Sequence, residues 1–253
     1  HSHHPFLLGD AAKRIAAGRE LPLVYTHHTM YEQYTHYVPG DLEVFKTFVV
    51  RLATAYANLA QHVIAPSESI ADVLRERGVT TPITAVPTGV DREKFATGDG
   101  DAARRRIGIP DDACVVGHVG RLAPEKDLAL LTDAAAQAAG QRPEIHVLIV
   151  GDGPSRENIR ETFAQRGLAD RLHLTGKLTG QELIDAYHAM DLFGFTSKSE
   201  TQGMVLAEAM AAGLPVIATD VGGVGEVLAE GAGRVVPPKD SGALAEAMID
   251  ALD

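Results

Sequence analysis

The chain has 253 residues, one cysteine, 45% hydrophobic residues and a formal charge of −11. That length carries one large domain or two smaller ones with a substantial core, and the lone Cys114 excludes an internal disulfide, fits a reducing compartment and reads as a small buried residue in CVVGHVG. There are 9 basic and 10 acidic residues through Phe95 but 14 and 24 beyond it, a balance that argues against a nucleic-acid partner yet leaves room for a local anion site.

No apolar run approaches the roughly 18–20 residues of a membrane span, and no basic-then-hydrophobic leader is visible, so the expectation is a cytoplasmic, non-spanning protein. HSHHPFLLGD opens with no strand or cap ahead of it, as if the chain were entered partway through a domain; a tag remnant is the alternative. A helix is expected over Asp10–Ala17, then a buried strand over Leu21–Thr26 and the histidine- and tyrosine-rich loop HHTMYEQYTHYVPG. Seven of the 11 histidines fall in the first 62 residues, but without an i,i+4 pair or a short zinc spacing, so a polar cleft lining is expected and no metal. Asp41–Ala60 reads as a helix with Leu42, Phe45, Val49, Leu52, Tyr56 and Leu59 on one apolar face. HVIAP, the helix SESIADVLRERG and ITAVP complete a three-strand first region of parallel type.

Composition turns to Gly, Asp and Arg between Thr88 and Pro110, giving expected domains 1–97 and 98–253, with Arg104–Arg106 as a solvated helix face. The alternation then restarts as CVVGHV, helix KDLALLTDAAAQA, IHVLIV, helix SRENIRETFAQR, LHLTG, helix QELIDAYHAM, DLFGFT, helix MVLAEAMAA, PVIAT, a short helix, RVVPP and helix GALAEAMIDAL. Six strands, each followed by a helix, make an α/β doubly wound parallel sheet, whose ligands bind beyond the carboxyl ends of the strands.

The loops there are GRLAPEK, GDGP, GKLTG, SKSETQG and VGGVGE. Arg121 offers a planar fork and Lys126 a mobile point charge, a pair able to hold a diphosphate. Gly203 opens a helix whose first N–H groups favour an anion. Within that helix Glu208 stands among apolar residues, so a buried helix is expected and Glu208 needs a partner; the motif reads E-x7-E with Glu200. A core helix with Glu208 salt-bridged to a neighbour is the competing reading.

GRLAPEK, GDGP and ETQGMVLAEAMAAGLPVIATDVGGVGEVL together resemble the donor half of family-4 retaining glycosyltransferases of the GT-B fold over nearly all of Cys114–Ala251. HSHHPFLLG, PLVYTHHTMYEQYTHYVPG and VPTGVDREKF resemble the acceptor half, most nearly that of bacterial diacylglycerol glucosyltransferases. The resemblance implies two Rossmann-like domains, the first incomplete, and a final crossing helix that is absent. It implies Arg121 and Lys126 on the diphosphate of a nucleotide sugar, with Gly151 in the same loop cluster. It also implies Glu208 on the ribose, Glu200 on the transferred sugar, backbone N–H groups near Gly203, Met204 and Val205 on phosphate and sugar, and Lys177 and Leu178 by the base. His3 would face the sugar, with His28 a weaker assignment.

The implied reaction moves a hexose, as in UDP-glucose, to an acceptor hydroxyl such as that of diacylglycerol, with no cofactor and no metal. Implied partners are the nucleotide-sugar donor and a lipid or small-molecule acceptor, with peripheral contact at the inner face of a membrane. A three-strand first domain with an open edge is expected to pair with another chain, as in a homo-oligomer, to rearrange, or to be the less stable half. Rival readings are a sugar phosphorylase or epimerase, and a nucleotide-sugar-binding fragment without turnover.

Overall fold

The computed structural model describes residues 1–32, 42–198, 200–228 and 233–253. They form two compact units, His1–Thr88 with Ser199–Gln202, and Gly89–Lys198 with Gly203–Asp253. The division falls inside the polar stretch 88–110. Residues 33–40 of the histidine- and tyrosine-rich loop, expected to line a cleft, lie outside the described residues, as do Asp41, expected to open the next helix, and Ser199.

In the first unit α1 (Leu7–Gly18), β1 (Val24–Thr26), α2 (Leu42–Ala57), β2 (His62–Ala65), α3 (Glu68–Glu76) and β3 (Ile83–Ala85) follow in order. The strands pair in parallel as β1-β2-β3. Ser67 starts α3, its Oγ accepting from Ile70 N at 3.3 Å, the usual service of an N-cap hydroxyl. Helix α2 buries Val49, Ala53, Tyr56 and Ala57, and Tyr56 and Ala57 share a core with Leu23, Tyr25, Val63 and Ile70. Leu59, expected on that face, lies past the helix end and is exposed.

The edge of β1 is not left open as expected. Ser2 N donates to Val24 O at 2.8 Å and Thr26 N to Ser2 O at 2.9 Å, an isolated parallel bridge beside Tyr25. The buried Tyr56 hydroxyl lies 2.8 Å from Ser2 Oγ and 2.9 Å from Gly9 O, fixing the opening segment to α2.

The second unit begins with α4 (Arg92–Phe95) and α5 (Gly100–Ile107). It continues as β4 (Cys114–Val119), α6 (Leu128–Gln141), β5 (Ile145–Val150), α7 (Arg156–Gln165), β6 (Leu172–Gly176) and α8 (Gln181–His188), then β7 (Leu192–Phe195), α9 (Met204–Ala211), β8 (Val216–Thr219), α10 (Val224–Leu228), β9 (Gly233–Val236) and α11 (Ser241–Leu252). Its strands are parallel in the order β6-β5-β4-β7-β8-β9. Apolar strand runs suit a sheet covered on both faces. One face packs Val115, Phe193 and Ala218 with Tyr187, Leu206 and Phe95; the other packs Val116, Val147 and Leu192 with Leu131, Phe163 and Leu244. Phe95, from α4, meets the Tyr187 ring at 5.8 Å between centroids.

Two local expectations change here. Arg104 is not solvated: it donates to Ala189 O (3.0 Å), Ala113 O (3.1 Å) and Asp191 Oδ2 (2.8 Å), because its guanidinium closes the space between α5 and the start of β4, while Arg105 and Arg106 are exposed. Cys114, at the first position of β4, is half-buried, and desolvation with nearby Asp191 raises its thiol pKa.

The strand order reverses direction between β4 and β7. A crevice forms at such a switch point beyond the carboxyl ends of the strands, and the loops leaving β4 and β7 flank it.

Candidate functional site

The loop after β4 is built onto the loop after β5. Gly120 N donates to Val150 O (3.0 Å), Leu122 N to Asp152 O (3.0 Å) and Ser155 N to Leu122 O (2.9 Å). Gly151 sits at the point of closest approach, with φ +143° and a Cβ position only 1.8 Å from Gly120 O; no other residue fits there without moving backbone. A 3-10 turn follows over Pro124–Lys126, then Asp127 at φ +47°, and α6 begins only at Leu128. Lys126, expected as the first residue of that helix, therefore lies in the turn ahead of it, because Pro124 starts a tight turn and the left-handed Asp127 separates the two.

The turn is stapled to the loop after β7. Lys198 N donates to Glu125 O (2.8 Å), Ser197 Oγ to Glu125 O (3.3 Å), and Thr196 Oγ1 lies 3.2 and 3.1 Å from Lys126 O and Asp127 O. Lys198 Nζ pairs with Asp127 Oδ1 at 2.8 Å. These contacts offset the roughly 1–3 kcal/mol that a left-handed non-glycine residue costs. Within the turn, the half-exposed Arg121 guanidinium pairs through Nη2 with the buried carboxylate of Glu125, and Lys126 Nζ stands 5.9 Å from the Phe195 ring centroid, within cation–π range. The two cations the sequence singles out are thus held at the ends of the strands that bound the switch point.

On the other side Gly203 is buried at φ +71° and leads into α9, which has no side-chain cap on its N-terminus. Such an end presents backbone donors and the positive pole of the helix. The helix is not buried all round as expected. Leu206 and Ala209 face the core, whereas Met204, Val205 and Glu208 are half-buried, since one side of α9 is left open. Glu208 has the partner that its setting demands, and it is a neutral one: Tyr187 Oη donates to Glu208 Oε2 at 2.7 Å. Burial, and then the Glu208 charge, push the Tyr187 hydroxyl above the ordinary phenol range, so it stays protonated and donates.

Lys177 is exposed just past β6, and Leu178 beside it is half-buried against the sheet's core. His3, His28 and Glu200 belong to the first unit. There His3 Nδ1 lies 2.8 Å from His28 Nε2 with stacked rings, and burial followed by His3 lowers the His28 pKa. Thr201 ties Glu200's segment to that unit: Thr201 Oγ1 donates to His28 O (3.1 Å), Ser67 Oγ to Thr201 O (3.1 Å), and Thr201 N to Glu200 Oε1 (3.2 Å).

Sequence reasoning missed Glu125, Tyr187 and the Asp127–Lys198 pair. Tyr187 looks in sequence like any apolar-face position of an amphipathic helix, and Glu125 like an exposed turn residue. Only the E of GRLAPEK, four residues after Arg121, hinted at a local ion pair.

Comparison with known proteins follows the same division of the chain. Residues 99–253 match the model described as Glycosyl transferases group 1. The chain belongs to that family. Residues 1–94 match Glycosyltransferase Family 4. The D-inositol 3-phosphate glycosyltransferase of Stackebrandtia nassauensis is 35% identical over 243 residues, covering 91% of this chain and 54% of the relative. The alpha-monoglucosyldiacylglycerol synthase of Streptococcus pneumoniae is 29% identical over 223 residues, covering 86% and 51%. The chain thus spans about half the length of the curated relatives it matches. The crystal structure of Anabaena Alr3699/HepE in complex with UDP and glucose superposes with a TM-score of 0.83 at 26% identity, over 97% of this chain and 66% of that one. This member of the group 1 family therefore has the α/β fold of the GT-B type, and among its described residues no helix is long and apolar enough to cross a membrane.

Proposed function

We propose that this glycosyltransferase binds a nucleoside diphosphate sugar at the switch point of its six-stranded sheet and transfers the hexose, with retention, to an acceptor hydroxyl. The observation that carries the reading is the strand order, which sets GRLAPEK and the Gly203 helix start at the carboxyl ends of the two strands flanking the reversal. The division of labour is 1–97 for the acceptor and 98–253 for the donor.

Arg121, Lys126 and the N-terminus of α9, through Gly203, Met204 and Val205, receive the diphosphate. Gly151 lets the backbones of two phosphate-facing loops close on each other. Glu208 accepts from the ribose hydroxyls, Lys177 and Leu178 border the base, Glu200 accepts from the transferred sugar, and His3 with His28 faces that sugar.

The barrier lies in separating charge. As the glycosidic C–O bond breaks, its electron pair goes to the diphosphate oxygen, where the two cations and the helix start stabilise it. The acceptor oxygen bonds the anomeric carbon on the same face, and its proton passes to the leaving phosphate oxygen. Glucose from UDP-glucose and a diacylglycerol hydroxyl as acceptor are the finer parts of the reading, supported by likeness to HepE with UDP and glucose and to the diacylglycerol synthase; a cytoplasmic site at a membrane surface is the setting such an acceptor would require. Binding of the nucleotide sugar without turnover is the second reading, because the loops that would hold the donor all follow strands of the six-stranded sheet.

A thermal-shift panel of UDP, GDP and ADP with their glucose and mannose sugars tests the first reading. A ligand at about 100 times its Kd adds roughly 2.7 kcal/mol. A shift with one base and release of its diphosphate in the presence of an acceptor supports transfer. A shift without release leaves binding alone, and no shift with any ligand ends both readings.

A further inference from the structure

Glu208 is half-exposed on α9, yet one of its oxygens is fixed from below by a fully buried hydroxyl on α8. The Tyr187 ring cannot swing away: Phe95 packs edge-on against it with centroids 5.8 Å apart, and Phe193 of β7 lies 5.9 Å off on the sheet side. A glutamate has three rotatable bonds, and a solvent-facing one samples several rotamers. A carboxylate that must take both hydroxyls of a vicinal diol needs one orientation. A cation in place of Tyr187 would fix that orientation but offset the charge that makes each hydroxyl contact strong. A neutral phenol fixes it and leaves the charge in place.

Resting on the reading above, in which Glu208 takes the ribose, we propose that Tyr187 is a positioning residue that presets the Glu208 carboxylate for a 2′,3′-diol and so sets the preference for ribonucleotides. It acts through Glu208 alone. The buried ring supplies rigidity and the hydroxyl supplies direction.

The test is the Kd of UDP and GDP against their 2′,3′-dideoxy analogues, measured by calorimetry on the full chain and on Tyr187→Phe, Glu208→Gln and the double variant. The parent is expected to prefer the ribonucleotide roughly a hundredfold, from two hydrogen bonds to a charged acceptor. Tyr187→Phe is expected to weaken ribonucleotide binding about tenfold and dideoxynucleotide binding less than about twofold, and to add little to Glu208→Gln, as coupled residues do. A loss shared equally by both nucleotides marks a merely structural tyrosine and overturns the proposal, as does no loss at all. A parent that binds both forms alike, or neither, overturns the ribose reading of Glu208 and the proposal with it. A melting curve of Tyr187→Phe within a few degrees of the parent confirms that the comparison is between folded proteins.

Discussion

Two parallel sheets in one chain are held in different ways. The central strands of the second unit, β4, β5, β7 and β8, are covered on both faces, and each face has its own apolar core, from Phe95 to Leu228 on one side and Val116 to Met248 on the other. The three strands of the first unit are 3, 4 and 3 residues long and share one smaller core around Tyr25, Tyr56 and Ile70. Its opening segment is fastened by polar contacts, Ser2 on the β1 backbone and Tyr56 on Ser2 and Gly9. The fraction of surface buried rises with size, so the larger sheet rests on its two apolar cores, while the smaller one depends more on individual hydrogen bonds. Calorimetry that resolves two transitions, with the first unit melting lower, expresses that difference.

The largest effect expected from a single change lies in the second unit. Gly151→Ala puts a methyl 1.8 Å from Gly120 O at a positive φ, and should cost about 3 kcal/mol or more, lowering the upper transition and leaving the lower one in place. An equal fall in both transitions would mean that the two cores melt as one.

Acid separates the units less but reaches both. His27 in the first unit and His118 in the second are buried, and desolvation is the main cause that lowers each pKa to about 4. Unfolded histidine titrates near 6.5, so between about pH 6.5 and 4 the unfolded chain takes up protons that the folded one refuses. Stability present above pH 6.5 is therefore lost as pH falls toward 4, by at most ~3 kcal/mol per site. His118→Asn should flatten that acid limb for the upper transition and His27→Asn for the lower. If neither variant changes the limb, other groups carry it.

The smallest effect tests the polar fastening of the first unit. Tyr56→Phe removes one hydroxyl shared between Ser2 and Gly9, and should lower only the first transition, by ~1–2 kcal/mol. Melting followed by near-ultraviolet circular dichroism reads it, and a shift confined to the upper transition would contradict the assignment of Tyr56 to the first core.

Much of the second unit was legible because its signals are local and repeated. CVVGHV and IHVLIV coincide with β4 and β5 residue for residue, since short apolar, β-branched runs bounded by glycine have few alternatives. Glu208's need of a partner was legible too, from the cost of an isolated charge. What stayed hidden depends on pairing across the sequence. Tyr187 is 21 residues from Glu208, Arg104 is 87 from Asp191, and Ser2 reaches Val24 only once the chain is folded. The start of α6 was misplaced for a local reason, because a 3-10 turn and a left-handed Asp127 leave little trace in hydrophobic periodicity.

The claim at the centre is that the loops flanking β4 and β7 hold a diphosphate. Titration calorimetry of UDP and GDP into the parent chain and into Lys126→Ala measures it directly. One nucleotide is expected to bind the parent saturably and Lys126→Ala to weaken it about tenfold or more, as loss of a charge-assisted contact does. Equal affinity in the variant, or no binding of either nucleotide by the parent, would contradict it.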